Sequence, residues 1–284
     1  MKLTVWGTRG SLPSPRPGTA RYGGNTSCVQ LEMADGSAVV LDAGTGIHRL
    51  PDFSRSTNRV DVLLSHLHMD HILGLGFFGA LFQPDIEVHI WGPPSTTLDL
   101  HGRLTRYLSP PLFPVRLRDL PCKLVLHDAP RGTFELPGAS VTADLVCHPG
   151  PTLGYRITAD GASLAYLPDH EPALGAESFP KHPEWTSGFD LMAGVDVLIH
   201  DAQYSDAEYP AHVGWGHSSI SHTMTMAESA GVARLLAFHH DPNHNDSLLD
   251  RLFAEVSGSR DWPFELIPAQ EGSRLSLGRQ PVRR

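Results

Sequence analysis

Residues 63–76 read LLSHLHMDHILGLG and place three histidines and an aspartate within six positions, directly after an apolar run. That run, VDVLLS, is predicted to be a buried strand. Side chains two apart on an extended backbone point to the same side, so His66 and His68 face one way. Asp70 and His71 follow in the next turn. The spacing predicts that His66 and His68 hold one metal ion while Asp70 and His71 face a second, which suits a dinuclear hydrolytic centre.

Short apolar runs typical of strands recur along the chain, from LTVW near its start to FELIP near its end. Four stretches between them have a helical pattern: 71–82, about 96–108, 221–231 and 245–256. Early strands joined by Gly-rich turns and later strands separated by helices predict an α/β protein built from two sheets. We predict one domain over 1–278 and a flexible tail at 279–284.

Composition narrows the class of partner. The 284 residues include 31 acidic and 22 basic side chains, a formal net charge of -9 that disfavours long nucleic acid. No apolar stretch of about 18 residues or more exists and the chain starts like a strand, so we expect a cytoplasmic protein with no membrane partner. Cys28, Cys122 and Cys147 show no C-x-x-C spacing, which argues against a disulfide scaffold and a thiolate zinc site.

The H-x-H-x-D-H motif resembles that of the metallo-β-lactamase superfamily, and this resemblance implies an αββα sandwich. Family members carry further ligands in a set order, each at the end of a later strand. SVTADLVCHPG offers His148, SLAYLPDHE offers Asp169, and ARLLAFHHDPNHND offers His239 and His240. All arrive in that order, and the resemblance spans nearly the whole chain.

The resemblance implies two ligand sets. One ion would take His66, His68 and His148, the other would take Asp70, His71 and His239, and Asp169 would link them. Two divalent ions against two carboxylates leave excess positive charge, which lowers the pKa of a bridging water and attracts an anionic substrate. Imidazole-rich ligation favours zinc, and manganese and iron are alternatives. The seven predicted ligands are therefore His66, His68, Asp70, His71, His148, Asp169 and His239.

The last ligand is a choice between neighbours. His239 is the first residue beyond the strand RLLAF and matches the ligand position of the ribonuclease Z branch, whereas His240 should point to the other side. Asp241 or His244 could orient a ligand imidazole through a hydrogen bond, and His170, next to Asp169, is a further candidate for such a role.

The opening WGTRGSLPSPRPGTARYGGNTSCVQLE resembles that of the ribonuclease Z and cyclic phosphodiesterase group. There Asn25 or Thr26 could reach a substrate, although Asn25 could equally stabilise the turn. VDVLIHDAQY and GWGHSS resemble two later segments of that branch. The resemblance implies that Asp201 orients His217, which would hold a phosphate oxygen or protonate the leaving alcohol. With Asp70, these two are the predicted catalytic residues.

Departures from the branch point to a small substrate. No long basic insertion that could grip transfer RNA is present, so we expect hydrolysis of a small phosphodiester, such as a cyclic nucleotide or a cyclic sugar phosphate, by attack of a metal-bridging hydroxide. The alternatives are an RNA 3′-end endonuclease of ribonuclease Z type and a non-catalytic sensor that binds a metal or ligand. The Pro-rich segment 109–121, with the helix-like stretch before it, is expected to form a wall of the substrate site or the contact of a homodimer.

Overall fold

The computed structural model describes residues 1–51, 53, 58–174, 179 and 182–278. Over these residues the chain forms two β-sheets of seven strands each. The tail predicted at 279–284 lies outside the described residues. None of the described helices is long and apolar enough to cross a membrane.

The first sheet combines antiparallel and parallel pairing. Its strands, in spatial order, are β14 (Arg274–Ser276), β1 (Lys2–Gly7), β2 (Cys28–Glu32), β3 (Ala38–Leu41), β4 (Arg59–Leu63), β5 (Glu87–Gly92) and β6 (Lys123–Asp128). Pairing is antiparallel from β14 to β3 and parallel from β3 to β6. The parallel strands therefore all end at one edge of the sheet.

The second sheet has the same mixed character. Its spatial order is β13 (Glu265–Pro268), β12 (Arg234–Phe238), β11 (Val197–Asp201), β10 (Ala162–Leu167), β9 (Leu153–Ala159), β8 (Ala139–Leu145) and β7 (Gly132–Leu136). Strands β10 to β13 pair in parallel, and β7 to β10 pair antiparallel. Consequently β8, β10, β11 and β12 run in one direction and end at one edge.

Alternating side chains of the strands build three apolar layers. In β12, Leu236 and Phe238 enter the core between the sheets, whereas Leu235 packs under helices on the outer face. In β4, Leu63 likewise enters the central core while Val62 faces the outer layer of the first sheet. Both faces of each sheet are covered, which explains why the central strands read as continuous apolar runs. The predicted αββα sandwich is confirmed.

The helices are short apart from two. They are α1 (Met69–Ile72), α2 (Leu100–Thr105), α3 (Phe189–Met192), α4 (Ile220–Ser229) and α5 (Asp246–Gly258). The helix predicted at 71–82 is wrong: it is one turn, α1, followed by separate 3-10 turns. The backbone N–H of Gly74 donates to the carbonyl of Ala43 at 3.0 Å, so this contact between segments interrupts the helical ladder.

Candidate metal centre

The first predicted ligand set converges where β4, β8 and β10 end. His66, His68 and His148 offer ring nitrogens that lie, with a carboxylate oxygen of Asp169, within 4.8 Å of one another. Nδ1 of His68 is 3.2 Å from Nε2 of His148. Oδ2 of Asp169 lies 3.7 Å from Nε2 of both His66 and His148. These four groups surround one small volume, although they come from segments up to about a hundred residues apart in sequence.

The second set lies on the other side of the same carboxylate. Oδ1 of Asp169 is 3.0 Å from Nε2 of His71 and 3.3 Å from Nε2 of His239. Oδ2 of Asp70 lies 3.3 Å from Nε2 of His71 and 3.2 Å from Nε2 of His239. Each Asp169 oxygen therefore faces a different ligand set, which is the geometry that a bridging carboxylate requires.

Several buried polar atoms at this site have no hydrogen bond in the described part of the chain. They are Nε2 of His66, Nε2 of His71 and Oδ1 of Asp169. A buried polar atom without a partner costs about 1–3 kcal/mol, so three that converge indicate that another group completes them. Nitrogen and carboxylate donors in two adjoining clusters fit divalent transition-metal ions, zinc first among them.

Hydrogen bonds fix the rings of the second set. Nδ1 of His71 is 2.7 Å from Oδ2 of Asp42, and Nδ1 of His239 is 2.8 Å from Oε1 of Gln203. When these nitrogens carry the proton, Nε2 of each ring is left with its lone pair towards the centre. The backbone N–H of Ser11 donates to Oδ2 of Asp70 at 2.7 Å. Sequence reasoning missed Asp42, Gln203 and Ser11.

The rings of the first set are supported in the same way. Nδ1 of His66 lies 3.0 Å from the Ser65 hydroxyl, and Nδ1 of His148 lies 2.8 Å from the carbonyl oxygen of Gly216. The hydroxyl of Ser65 also donates to Asp42 at 2.8 Å. Asp42 thus supports residues of both ligand sets through one carboxylate.

Backbone strain is concentrated at the same place. His239 and Asp42 have φ angles of 60° and 58°, in the left-handed region that non-glycine residues rarely adopt. A Cβ on Gly10 would come within 2.3 Å of Nδ1 of His239, so only glycine leaves room for that ring. Strained residues held in place by their surroundings are typical of functional sites.

Electrostatics prepare the imidazoles of the first ligand set and the Asp169 carboxylate for ligation. Burial lowers the pKa of His66 well below its usual value, and burial also lowers the pKa of His68 and of His148. These rings are therefore neutral at pH 7, the form that binds a metal ion. Burial alone would raise the pKa of Asp169, but the surrounding imidazoles hold it well below its usual range, so this carboxylate stays ionised.

The predicted Asp201 and His217 pair is formed beside the two sets. Nδ1 of His217 lies 2.7 Å from Oδ2 of Asp201, and the His217 ring stacks on His239 with ring centres 5.0 Å apart. Burial opposes protonation of His217, yet the Asp201 carboxylate outweighs it and raises the pKa of His217 to about 9. The ring is therefore cationic at neutral pH in the metal-free protein, beside the second ligand set.

The loop that carries His217 is held by a residue that the sequence did not single out. Glu171, which is buried, accepts the backbone N–H of Gly214 at 2.9 Å and that of Gly216 at 2.7 Å. Because the carbonyl of Gly216 faces His148, this carboxylate supports both a ligand ring and the His217 loop.

The neighbours of the ligands have structural partners. Nε2 of His240 donates to the carbonyl of Ala269 at 2.9 Å, on the side away from both ligand sets, as the strand register predicted. Nε2 of His244 lies 2.9 Å from Glu208. The expectation that Asp241 or His244 orients a ligand ring is wrong, because Gln203 occupies that position against His239. Asp241 instead accepts the backbone N–H of Asn243 at 2.8 Å.

His170 lies in a buried chain of rings behind the centre. Its Nδ1 is 2.9 Å from Nε2 of His200, and its Nε2 is 3.0 Å from the Ser187 hydroxyl. Neither nitrogen of His170 belongs to the ligand sets of the described residues. Its backbone N–H, at 3.3 Å from Oδ2 of Asp201, links it to the His217 pair.

The structure gives Asn25 and Thr26 roles other than substrate contact. The side chain and backbone N–H of Asn25 both donate to Glu271, at 3.1 Å and 2.5 Å. The Thr26 hydroxyl accepts the backbone N–H of Thr45 at 2.9 Å, and Thr26 is fully buried. These bonds stabilise the first hairpin, and contact of Asn25 or Thr26 with a substrate stays a prediction.

Comparison with known proteins identifies the family. A family model described as a beta-lactamase superfamily domain matches residues 38–240. The chain belongs to this superfamily. Ribonuclease Z of Mycobacterium marinum is 25% identical to this chain. The alignment covers 98% of this chain and 96% of the Mycobacterium marinum protein.

Solved structures share the fold of this chain. The metallo-beta-lactamase fold protein YhfI of Bacillus subtilis has a TM-score of 0.71 and 19% identity, with 98% of each chain covered. A diphosphatase of the PhnP family has a TM-score of 0.65 and 20% identity, with 97% of each chain covered. The predicted ribonuclease Z-like branch is confirmed, and the protein is a metal-dependent hydrolase of the metallo-β-lactamase fold.

Proposed function

We propose that this protein is a dinuclear phosphodiesterase acting on small phosphodiesters, with cyclic nucleotides and cyclic sugar phosphates as the first candidates. The observation that carries the proposal is the buried Asp201 and His217 pair, 2.7 Å apart, beside two ligand sets that share Asp169. A cationic imidazole next to a metal centre suits an anionic substrate with a poor leaving group.

Two divalent ions would be held by the two ligand sets. His66, His68 and His148 would hold one, Asp70, His71 and His239 the other, with one Asp169 oxygen on each. When bound, the ions would supply Lewis-acid charge and lower the pKa of a water nucleophile. Asp42 and Gln203 would keep the His71 and His239 rings oriented. Zinc is the proposed metal because most donors are imidazoles, and manganese or iron would tolerate the carboxylates equally well.

His217 would act on the departing side of the phosphate. Its Nδ1 is engaged by Asp201, which leaves Nε2 to donate a hydrogen bond or a proton. In the metal-free protein its pKa is raised to about 9, so the ring carries that proton at neutral pH. His217 would therefore bind a phosphate oxygen and protonate the leaving alkoxide, while Asp201 keeps the ring oriented and stabilises its charge.

The net charge supports a small substrate. A formal charge of -9 repels a polymer of phosphates, whereas one phosphodiester meets only the local charge of the centre. The test is hydrolysis by protein of known metal content. We expect turnover of bis(p-nitrophenyl) phosphate and of at least one member of a panel of 2′,3′- and 3′,5′-cyclic nucleotides. Metal-replete protein that cleaves none of these esters would refute the proposal.

The second candidate is cleavage of RNA near a 3′ end. It is favoured by the relatives named ribonuclease Z, which are 24–27% identical to this chain. Precursor transfer RNA incubated with the metal-replete protein at physiological salt separates the two candidates. Cleavage of the RNA without turnover of cyclic nucleotides would favour the endonuclease.

A further inference from the structure

A cavity of about 760 Å³ opens beside the first ligand set. His66 and His68 contribute to its wall, so the cavity reaches the metal centre directly. The other lining residues come from the loops after β4 and β5, from α2, from the last residue of β8 and from the loop after it. Its volume falls within the range of about 300–1,000 Å³ that is typical of small-molecule sites.

Most of this wall is apolar and stiff. Pro93 and Pro94 face the cavity from one loop, and Pro149 and Pro151 face it from the other. Proline has a fixed φ and no N–H group, so these segments lose little freedom when a ligand binds and offer few backbone donors. The wall suits a flat organic group better than a chain of phosphates.

Arg103 contributes a charged side chain to the lining. Nη2 of Arg103 donates to the carbonyl of Pro93 at 2.7 Å and to Asp128 at 3.1 Å, and Nε donates to the carbonyl of Asp99 at 3.3 Å. These bonds hold the guanidinium in place and, within the described residues, leave Nη1 without a protein partner. The Asp128 carboxylate offsets part of the charge, so neutral acceptors such as carbonyl oxygens suit this guanidinium.

Hydroxyl groups also belong to the lining. Ser95 is half-buried and its hydroxyl lies 3.2 Å from that of Thr97. With Arg103 they supply polar donors to a lining that is otherwise mostly apolar. Such a pocket discriminates ligands by the few polar groups that it places.

We propose that this cavity is the specificity pocket for the organic group of the substrate, and that this group is a nucleoside. The base would lie between the proline walls with its carbonyl oxygens towards Arg103 and the hydroxyls of Ser95 and Thr97. The inference rests on the proposed function, because it assumes that the phosphate sits on the ligand sets. It goes further by assigning a pocket for one nucleoside, which a cyclic sugar phosphate without a base would leave empty.

Binding to zinc-loaded protein tests the pocket without requiring turnover. Thymidine 5′-monophosphate, phenyl phosphate and inorganic phosphate are titrated by calorimetry. All three offer phosphate to the centre, but only the first carries a base with carbonyl oxygens. We expect the nucleotide to bind at least about tenfold more tightly than inorganic phosphate, which corresponds to about 1.4 kcal/mol. Equal affinities would overturn the proposal.

Two variants locate the binding. Ser95→Trp fills the cavity and should weaken nucleotide binding at least about tenfold while leaving inorganic phosphate unchanged. Ser140→Trp, also half-buried but in β8 and outside the lining, is the matched control. Arg103→Met removes the donor and should weaken binding of the nucleotide but not of phenyl phosphate.

The outcomes separate this inference from the proposed function. Nucleotide affinity within about twofold of wild type in both Ser95→Trp and Arg103→Met would overturn the pocket, even if the protein hydrolyses phosphodiesters, since about 0.4 kcal/mol is too little for a specificity contact. An equal loss for nucleotide and inorganic phosphate would also overturn it. Selective loss of nucleotide binding in a protein that cleaves no phosphodiester would keep the pocket and refute the activity.

Discussion

Nδ1 of His217 lies 2.7 Å from Oδ2 of Asp201, and Asp201 is fully buried. Asp201 ends β11 and also accepts the backbone N–H of Gln203 at 2.9 Å. The carboxylate is therefore fixed by the strand end, and the imidazole is fixed by the carboxylate. This relationship is the basis for assigning an acid role to His217, and it makes that role testable by substitution.

His217→Ala should leave metal content unchanged and lower kcat for phosphodiesters by about 10²-fold to 10⁴-fold, the usual size of a lost general acid. The loss should be smaller for p-nitrophenyl esters, because p-nitrophenolate leaves without a proton. Asp201→Asn should do less harm, since the ring remains. His182→Ala, which removes an exposed histidine, is the control. Equal losses on good and poor leaving groups would instead make His217 a phosphate binder.

The charge of His217 can be measured directly. In metal-free protein, NMR titration should give this ring a pKa of about 9, because Asp201 outweighs burial. Asp201→Asn removes the raising carboxylate while burial remains, so the pKa should fall by at least about two units from that value. Metal ions should lower it in the wild type as well, since positive charge disfavours a cation. A wild-type pKa below about 7 in the metal-free protein would contradict this account.

Asp169→Ala should be the most damaging single change to metal binding, because one carboxylate faces both ligand sets. We expect zinc content after dialysis to fall well below that of wild type at both sites, with activity lost in proportion. Asp144→Asn, at a half-buried aspartate in β8 outside both ligand sets, should retain the wild-type content. If Asp169→Ala bound zinc as tightly as wild type, the bridging assignment would be wrong.

Glu171→Gln tests how the His217 loop is positioned. The amide keeps the shape of the side chain but replaces one acceptor oxygen by a donor, which opposes the N–H of Gly214 or of Gly216. We expect a lower kcat, because His217 is displaced, and weaker zinc binding by about 10-fold to 100-fold, because the Gly216 carbonyl orients His148. Glu255→Gln, on the exposed face of α5, should change neither quantity. Unchanged zinc affinity in Glu171→Gln would show that Glu171 does not influence metal binding through His148.

Acid should destabilise the fold partly through His240. Burial lowers the pKa of this ring to about 3, against 6.5 for the unfolded chain. Below pH 6.5 the unfolded state therefore binds a proton that the folded state does not, so stability is lost as pH falls from 6.5 towards 3, by about 1.4 kcal/mol per pH unit. His240→Asn should show a shallower fall in its free energy of unfolding over this range. If the free energy of unfolding fell with pH at the same slope in both proteins, His240 would make no contribution to the loss of stability in acid.

The ligand sets could be proposed from sequence because the family resemblance supplies the order of the donors and most donors lie within three residues of a strand end, a pattern that is local in sequence. His66 and His68 follow β4, Asp169 follows β10 and His239 follows β12. Their supports could not be predicted, because Asp42 meets His71 across 29 positions and Gln203 meets His239 across 36. Such pairings depend on how the sheets stack.

Two other expectations had mixed outcomes. The helix at 71–82 was overestimated because the bond from Gly74 to Ala43 is a tertiary contact with no local signature. Segment 109–121 packs Phe113 and Leu117 into the outer layer of the first sheet, and among the described residues the cavity is lined instead by Arg103 of the preceding helix. A homodimer and a cytoplasmic location stay predictions.

We propose that two metal ions and one phosphodiester meet at this edge of the sandwich. The most direct test is to titrate zinc into metal-free protein while following both bound zinc and hydrolysis of bis(p-nitrophenyl) phosphate. We predict that activity is restored as two equivalents bind per chain and that Asp169→Ala abolishes both responses. Hydrolysis that is undiminished in the metal-free protein, or zinc binding at two equivalents without any hydrolysis, would contradict the account.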